Sequence, residues 1–129
     1  FVLNARVDVY LQGTGDEPDR FTQVVQRAKA YRDAGADCVF PIGLKNRETI
    51  ARLVSEIGGP LNLMAGPGAP AIAELEQLGV RRVTFGSGLM RATMPLIRQM
   101  AQELRASGGC DALAQTEFTH IVVNQLFRK

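Results

Sequence analysis

The sequence predicts an α/β protein of four strand–helix units whose strands run parallel. Short apolar or alternating segments are each followed by a longer segment with apolar residues at helical spacing, and glycines close the helical segments. Strand–helix alternation at this pace is typical of βαβ units, which pair their strands in parallel. The length of 129 residues and the 46% hydrophobic composition suit one globular core.

The first unit begins with the clearest strand. Apolar and polar side chains alternate from Leu3 to Tyr10, which predicts a strand with one packed face and one polar face. Glycines then break the pattern. A helix is predicted from Pro18 to Ala34, with Gly35 as its stop.

The other three units repeat this order. Asn46 is an expected N-cap, Pro70 suits the first turn of a helix, and the Gly86-Ser87-Gly88 turn precedes the fourth helix. The strands that precede these helices are short and apolar, which suits a sheet buried on both faces. They are predicted over residues 38–40, 61–64 and 83–85.

Residues 1–109 are predicted as one domain and residues 110–129 as a C-terminal amphipathic helix. That helix either packs on its own domain or docks on a neighbouring subunit. Two architectures fit the alternation in the domain: a doubly wound open sheet, or part of a barrel. No G-x-G-x-x-G follows the first strand, so the dinucleotide-binding fingerprint is missing.

Charge, hydropathy and cysteine content narrow the function classes. The net charge of +2 comes from interspersed charges without a basic run, so no nucleic-acid partner is expected. No apolar run approaches the ~20 residues that span a bilayer, so no membrane partner is expected. The two cysteines, Cys38 and Cys110, favour a reduced, cytoplasmic setting over a disulfide framework. The chain begins inside a predicted strand, as if an upstream segment had been removed.

Polar side chains at strand ends are the candidates for chemistry, because functional groups of parallel α/β folds collect there. Asn4, Arg6 and Asp8 share one face of the first strand. The planar guanidinium of Arg6 suits a substrate carboxylate or phosphate, or it forms an internal ion pair with Asp8 or an upstream acid. Asp8 could bind a metal or orient Arg6, and a structural hydrogen bond is the simpler interpretation.

Asn62 and the turn at Gly86 and Ser87 form a second group of candidates. Asn62 interrupts an apolar strand, and its amide must bind either a substrate or a neighbouring strand. The turn opens a helix, whose free N–H groups could hold an anion, although paired glycines are common in such turns. No cluster has the spacing of metal ligands. Three further polar residues are interpreted as solvated or structural, namely Lys45, Cys38 and His120.

Four segments, in order, resemble the isocitrate lyase/phosphoenolpyruvate mutase superfamily. The stretch from Asn4 to Asp8 resembles its "NARTDA" strand, residues 34–41 its next strand, residues 60–64 its "PLN" strand, and residues 78–92 its final strand and turn. The resemblance covers about residues 1–107. It is closest to the phosphoenolpyruvate mutase-like branch, which includes carboxyvinyl-carboxyphosphonate phosphorylmutase-like proteins.

The resemblance implies a (β/α)₈ TIM barrel to which this chain contributes its C-terminal half, about four βα units, plus a C-terminal helix. It implies a Mg²⁺-dependent lyase or mutase that makes or breaks C–C or P–C bonds in small phosphoenolpyruvate- or oxaloacetate-like acids. Arg6 matches the arginine that binds a substrate carboxylate, and Asn62 matches a position near the substrate. The partners implied are a small carboxylate or phosphonate and further copies of the chain, as a dimer or a tetramer with exchanged C-terminal helices.

The chain also departs from the family pattern. The acids that organise the metal and the mobile catalytic loop are expected upstream of this chain, and Ile42 and Gly43 stand where lyases have a glutamate. Val7 replaces the usual threonine. We therefore expect the isolated chain to be inactive. Two alternatives remain: a non-catalytic half-barrel that self-associates as a scaffold, and a barrel aldolase that uses Lys45.

Overall fold

The computed structural model describes residues 1–114 and 118–128, and the chain divides into two compact units. The first unit, Phe1–Gly86, contains strands and helices in alternation, and the second, Ser87–Lys129, contributes helices. The predicted α/β class is therefore confirmed. The predicted domain boundary at residue 109 stays a prediction.

Four short strands form the centre of the first unit: β1 Asn4–Val7, β2 Cys38–Pro41, β3 Asn62–Met64 and β4 Arg82–Thr84. They are parallel, and they neighbour one another in the order of the chain. β1 pairs with β2 and β3 pairs with β4. Within residues 1–86, one isolated bridge between Val39 and Leu61 joins the two pairs.

The helices of this unit follow the strands, as α1 Val9–Gln12, α2 Glu17–Asp33, α3 Arg47–Ile57 and α4 Ile72–Gln77. The predicted cap at Asn46 is confirmed, because its side chain accepts a hydrogen bond from the N–H of Thr49 at 2.9 Å. Gly58 ends α3 in the left-handed conformation, with φ of 62°. An L-residue would be strained there.

The core lies on one face of the strands. The alternate strand residues Val7, Val39, Leu61 and Leu63 are buried in one cluster with side chains from the helices. The helical members of this cluster come from all four helices of the unit, and they are Val9, Val24, Ala28, Ile50, Leu53, Ile57 and Leu75. We call this side of the strands the helix face.

Side chains of the other parity point away from the helix face, because successive residues of a strand point to opposite sides. We call this side the open face. It carries two residues from each strand: Asn4 and Arg6, Cys38 and Phe40, Asn62 and Met64, and Arg82 and Thr84. None of these open-face residues belongs to the buried hydrophobic cluster of the helix face.

The boundaries of β1 and α4 differ from the prediction by two or more residues. β1 stops at Val7, and the alternating stretch that continues through Tyr10 forms helix α1 because the backbone turns at Asp8, with φ of −93° and ψ of 3°. α4 starts at Ile72 after an extended Ala71, so Pro70 lies before the helix and not in its first turn.

The second unit contains α5 Gly88–Ser107, a 3₁₀ helix Asp111–Ala114 and α6 His120–Leu126. α5 ends at Gly108, as predicted, with φ of 71°. A helix is present in the predicted C-terminal segment, of which residues 115–117 and 129 lie outside the described residues. Its apolar side chains are exposed, including Ile121, Val122 and Leu126.

Candidate functional site

The strand pairing places one side chain from each strand in a row across the open face. Arg6 pairs with Phe40, and Asn62 pairs with Arg82. The bridge between β2 and β3, one residue earlier in both strands, puts Phe40 beside Asn62. We call these four residues the central row. Two guanidinium groups therefore flank an aromatic ring and an amide.

Arg6 is engaged by Asp8, which follows β1 directly. Its Nε donates to Oδ1 at 2.5 Å and its Nη2 donates to Oδ2 at 3.2 Å. The hydrogen bond to Asp8 raises the pKa of Arg6 further above its ordinary value, so the guanidinium stays charged. The Arg6 side chain is 51% exposed. The internal ion pair, which the sequence left as an alternative, is present.

Asn62 is fully buried on the open face, with 0% of its surface exposed. Among the described residues, neither its Oδ1 nor its Nδ2 has a hydrogen-bond partner, and the same holds for the Oδ1 of Asn4. A buried amide without partners costs about 1–3 kcal/mol, so such groups call for an explanation. Within residues 1–114 and 118–128, the amide of Asn62 therefore makes no hydrogen bond to a neighbouring strand, and its binding of a substrate stays a prediction.

Arg82 is the member of the central row that the sequence argument missed. It is exposed, and it shares its parity with Thr84. The signal was available in principle, because Arg82 alternates with the half-buried Val83. In the sequence, however, Arg82 stands beside Arg81 and resembles a solvated basic pair. Only the pairing with Asn62 places it on the open face.

Gly86 and Ser87 each have a local structural role. Gly86 has φ of 53°, and a Cβ there would lie 3.2 Å from Cε of Met64, so the turn itself requires glycine. Ser87 is the N-cap of α5, and its side chain makes no capping hydrogen bond. An anion-binding role for this turn stays a prediction.

The residues interpreted as unreactive are placed accordingly. The Nζ of Lys45 donates to the carbonyl oxygen of Pro67 at 2.8 Å. Burial raises the pKa of the Cys38 thiol, which is the opposite of what a nucleophile needs. His120 is the exposed first residue of α6.

The family model for phosphoenolpyruvate phosphomutase matches residues 1–105. The chain belongs to the phosphoenolpyruvate phosphomutase family. This confirms the resemblance to the isocitrate lyase/phosphoenolpyruvate mutase superfamily.

Named relatives of this family member act on small organic acids. The oxaloacetate decarboxylase of Ectopseudomonas mendocina is 32% identical over 101 residues, which covers 76% of this chain and 34% of the relative. The phosphonopyruvate hydrolase of a Variovorax species is 29% identical over 116 residues, which covers 84% of this chain and 38% of the relative. The chain thus spans roughly a third of the length of these curated relatives.

A solved structure supports the fold. A protein from Burkholderia cenocepacia assigned as a lyase/mutase superimposes with a TM-score of 0.77 at 31% identity. The match covers 99% of this chain and 45% of that protein. The mixed α/β fold of the chain is therefore similar to that of a lyase/mutase.

The potential metal-ligating side chains of the described residues are not clustered. Across residues 1–114 and 118–128, no three His, Cys, Asp or Glu side chains are grouped so that they could hold a metal ion. Asp8 is held by Arg6. These residues do not form a Mg²⁺ site by themselves, and we assign them no metal-binding role.

In residues 1–114 and 118–128, no helix is both long and apolar enough to cross a membrane.

Proposed function

We propose that this chain forms one wall of a (β/α)₈ barrel lyase or mutase and binds the anionic group of a small α-oxycarboxylate. The substrate class is phosphoenolpyruvate- or oxaloacetate-like acids, in which a C–C or P–C bond is made or broken. The observation that carries the proposal is the open face, where Arg6 lies on the same side of the strands as the Asn62 amide and the Oδ1 of Asn4, which have no hydrogen-bond partner among the described residues. The family assignment and the substrates named for its relatives support the same class.

Strand order and helix placement support a barrel wall. In a (β/α)₈ barrel, successive strands are neighbours around the ring and the helices form an outer layer. The four strands of the first unit follow that order, and α2, α3 and α4 contribute to one core on the helix face. A doubly wound sheet would reverse its strand order and carry helices on both faces. In the barrel arrangement, the open face is the interior.

The chemistry of the open face suits an organic acid. A guanidinium presents a planar fork of N–H donors that matches a carboxylate, and an amide adds a neutral donor and acceptor. The N–H groups at the turn formed by Gly86 and Ser87 would offer further donors to an anion. In this proposal, Arg6 binds the carboxylate, and Asn4 and Asn62 orient the ligand.

A divalent cation belongs to the proposal, as a Lewis acid that would stabilise the negative charge developing on the substrate. The described residues do not supply its ligands, so Mg²⁺ would be held by residues outside them. The role of this chain is then binding and orientation. The isolated 129-residue chain is expected to be inactive.

Titration of the full-length protein with oxalate, a planar enolate mimic, tests the proposal. We expect Mg²⁺-dependent binding of oxalate in a calorimeter, and we expect Arg6→Gln to weaken it by ~10-fold or more. Arg27→Gln is the matched control, because Arg27 is an exposed arginine on α2. An absence of oxalate binding, or equal binding by the Arg6 variant, would remove the proposed function.

A second candidate, self-association as a scaffold, is favoured by the apolar surface of the second unit. Large exposed apolar patches commonly mark interaction sites. Analytical ultracentrifugation of the full-length protein tests this candidate. A stable dimer or tetramer that binds no oxalate would favour the scaffold over the enzyme. The exposed apolar side chains of this unit include Leu89, Met90, Ile97, Leu104, Phe118, Ile121 and Phe127.

A further inference from the structure

The unbalanced positive charge on the open face belongs to Arg82. Arg6 is compensated, because both oxygens of Asp8 accept hydrogen bonds from its guanidinium. Among residues 1–114 and 118–128, no carboxylate lies within ion-pair distance of Arg82. An approaching anion therefore meets one paired guanidinium on β1 and one unpaired guanidinium on β4.

The two arginines stand at the two ends of the central row. Neighbouring strands lie about 4.8 Å apart, so three strand spacings separate the α-carbons of Arg6 and Arg82 by roughly 15 Å. Each side chain is long enough to reach over the adjacent strand. Their guanidinium groups can therefore approach one small ligand that lies above Phe40 and Asn62.

The residue beside Arg82 in this row is the one with an unexplained amide. Asn62 is paired with Arg82 in the β3–β4 ladder, is fully buried, and has neither amide atom satisfied among the described residues. A buried amide next to an uncompensated cation offers a donor, an acceptor and a positive charge together. That combination suits a carboxylate or phosphonate group better than a neutral ligand.

The electrostatic influence of Arg82 extends over the open face. Burial raises the pKa of the Cys38 thiol on β2, and the charge of Arg82 opposes that rise. Arg81, one residue earlier, has the opposite parity and lines a groove with Val54 and Gly59 away from the central row. Both arginines also line a second groove with Ile72 and Glu76, so the difference between them is that only Arg82 has the parity of the central row.

We propose that Arg82 is a second anion-binding residue, an inference that rests on the proposed function. Arg6 binds one anionic group of the ligand, and Arg82 binds the other. Asn62 hydrogen-bonds the ligand between the two. Arg82 then acts as a specificity-determining residue, because it favours ligands with two anionic groups over ligands with one. The sequence motifs that carried the family resemblance assign no such role to this position.

The test compares malonate, which has two carboxylates, with acetate, which has one, by calorimetry on the full-length protein with Mg²⁺. We expect Arg82→Gln to weaken malonate binding by ~10-fold and to leave acetate binding within about twofold. Arg82→Lys should keep part of the affinity, because it retains the charge and loses the fork. Arg81→Gln is the matched control and should bind both acids like the wild type.

Equal losses in the Arg81 and Arg82 variants would show a general effect of surface charge and would overturn the assignment, as would unchanged malonate binding by Arg82→Gln. The outcomes also separate the two proposals. If Arg6→Gln and Asn62→Ala abolish malonate binding while Arg82→Gln does not, only the role of Arg82 fails. If the wild-type protein binds neither malonate nor oxalate, the proposed function itself fails. Circular dichroism confirms that each variant is folded.

Discussion

Arg6 and Asp8, two residues apart at the end of β1, form a two-point ion pair with N···O distances of 2.5 and 3.2 Å. Both side chains remain about half exposed, at 51% and 41%. A ligand anion can therefore reach the guanidinium from solvent, but it must compete with a carboxylate that is already in place. If Arg6 binds the ligand as proposed, this competition lowers its affinity for the ligand.

The first prediction concerns that competition. Asp8→Asn should tighten oxalate binding about two- to fivefold, because an exposed ion pair is weak and the variant frees the guanidinium. Calorimetric titration of the full-length protein measures the change. Asp33→Asn, at the end of α2, is the control and should leave the affinity unaltered. Weaker binding by Asp8→Asn would mean that Asp8 orients Arg6 for the ligand.

The second prediction sets stability against binding at Asn62. Asn62→Leu should raise the free energy of unfolding by ~1 kcal/mol, because an apolar side chain of similar size removes a buried amide without partners. The same variant should lose anion binding. Urea denaturation and calorimetry give the two quantities separately. Asn124→Leu, at an exposed position of α6, is the control and should change neither quantity by a comparable amount. A destabilised Asn62→Leu variant would contradict the argument.

The third prediction is a pH dependence that originates at Tyr10. Burial, together with its 3.0 Å hydrogen bond to Glu17, raises the pKa of Tyr10 above the ordinary value of 10.0. The folded chain therefore keeps this proton at a pH where the unfolded chain loses it, so the free energy of unfolding falls as the pH rises beyond about 10. Below that pH the contribution is fully present. Because Tyr10 is partly exposed, the slope should stay well below ~1.4 kcal/mol per pH unit.

Denaturation at several pH values between about 8 and 11 measures this effect, because that range brackets the ordinary tyrosine pKa. Tyr10→Phe should flatten the decline on the alkaline side. Tyr31→Phe is the matched control, because Tyr31 is a second half-buried tyrosine that packs against the same core. Identical pH profiles for the two variants would show that the decline comes from other groups.

The fourth prediction concerns the loop after β2. A Cβ at Gly43 would lie 2.8 Å from the backbone nitrogen of Leu11 in α1, and φ at this glycine is +92°. Gly43→Ala should therefore destabilise the protein by more than the ~1–2 kcal/mol that the backbone conformation alone costs. Gly35→Ala isolates that conformational cost, because Gly35 has φ of +101° with no atom within 4 Å of its Cβ. Thermal unfolding of both variants decides the point, and equal losses would contradict the contact.

The strands and helices could be predicted because each depends on local signals. Periodic apolar residues and glycine stops placed α2, α3 and α5 within a few residues of their observed bounds. α1 could not be predicted in this way, since the alternation from β1 continues through Val9 and Tyr10 while the backbone already turns at Asp8. Alternation reports which side chains are apolar, and it does not report where the chain bends.

The sequence predicts those residues of the candidate site that are conspicuous by themselves. Arg6 and Asn62 stand out as polar residues in strands, and both lie on the open face. Arg82 does not stand out, because its importance depends on the residue beside it in another strand. The ion pair of Arg6 was one of two alternatives, and sequence spacing alone could not choose between them. Register and partner geometry are properties of the fold, which a linear pattern does not contain.

The join between the two strand pairs rests on one bridge, with the N–H of Val39 donating to the carbonyl oxygen of Pro60 at 3.1 Å. Pro60 has no backbone N–H to donate to β2, so β2 and β3 share fewer main-chain hydrogen bonds than the strands within either pair. The pairs β1–β2 and β3–β4 can therefore loosen from each other while each stays intact. In amide hydrogen exchange, each pair would open as one cooperative unit. Exchange of the Val39 amide proton would report the separation of the two pairs.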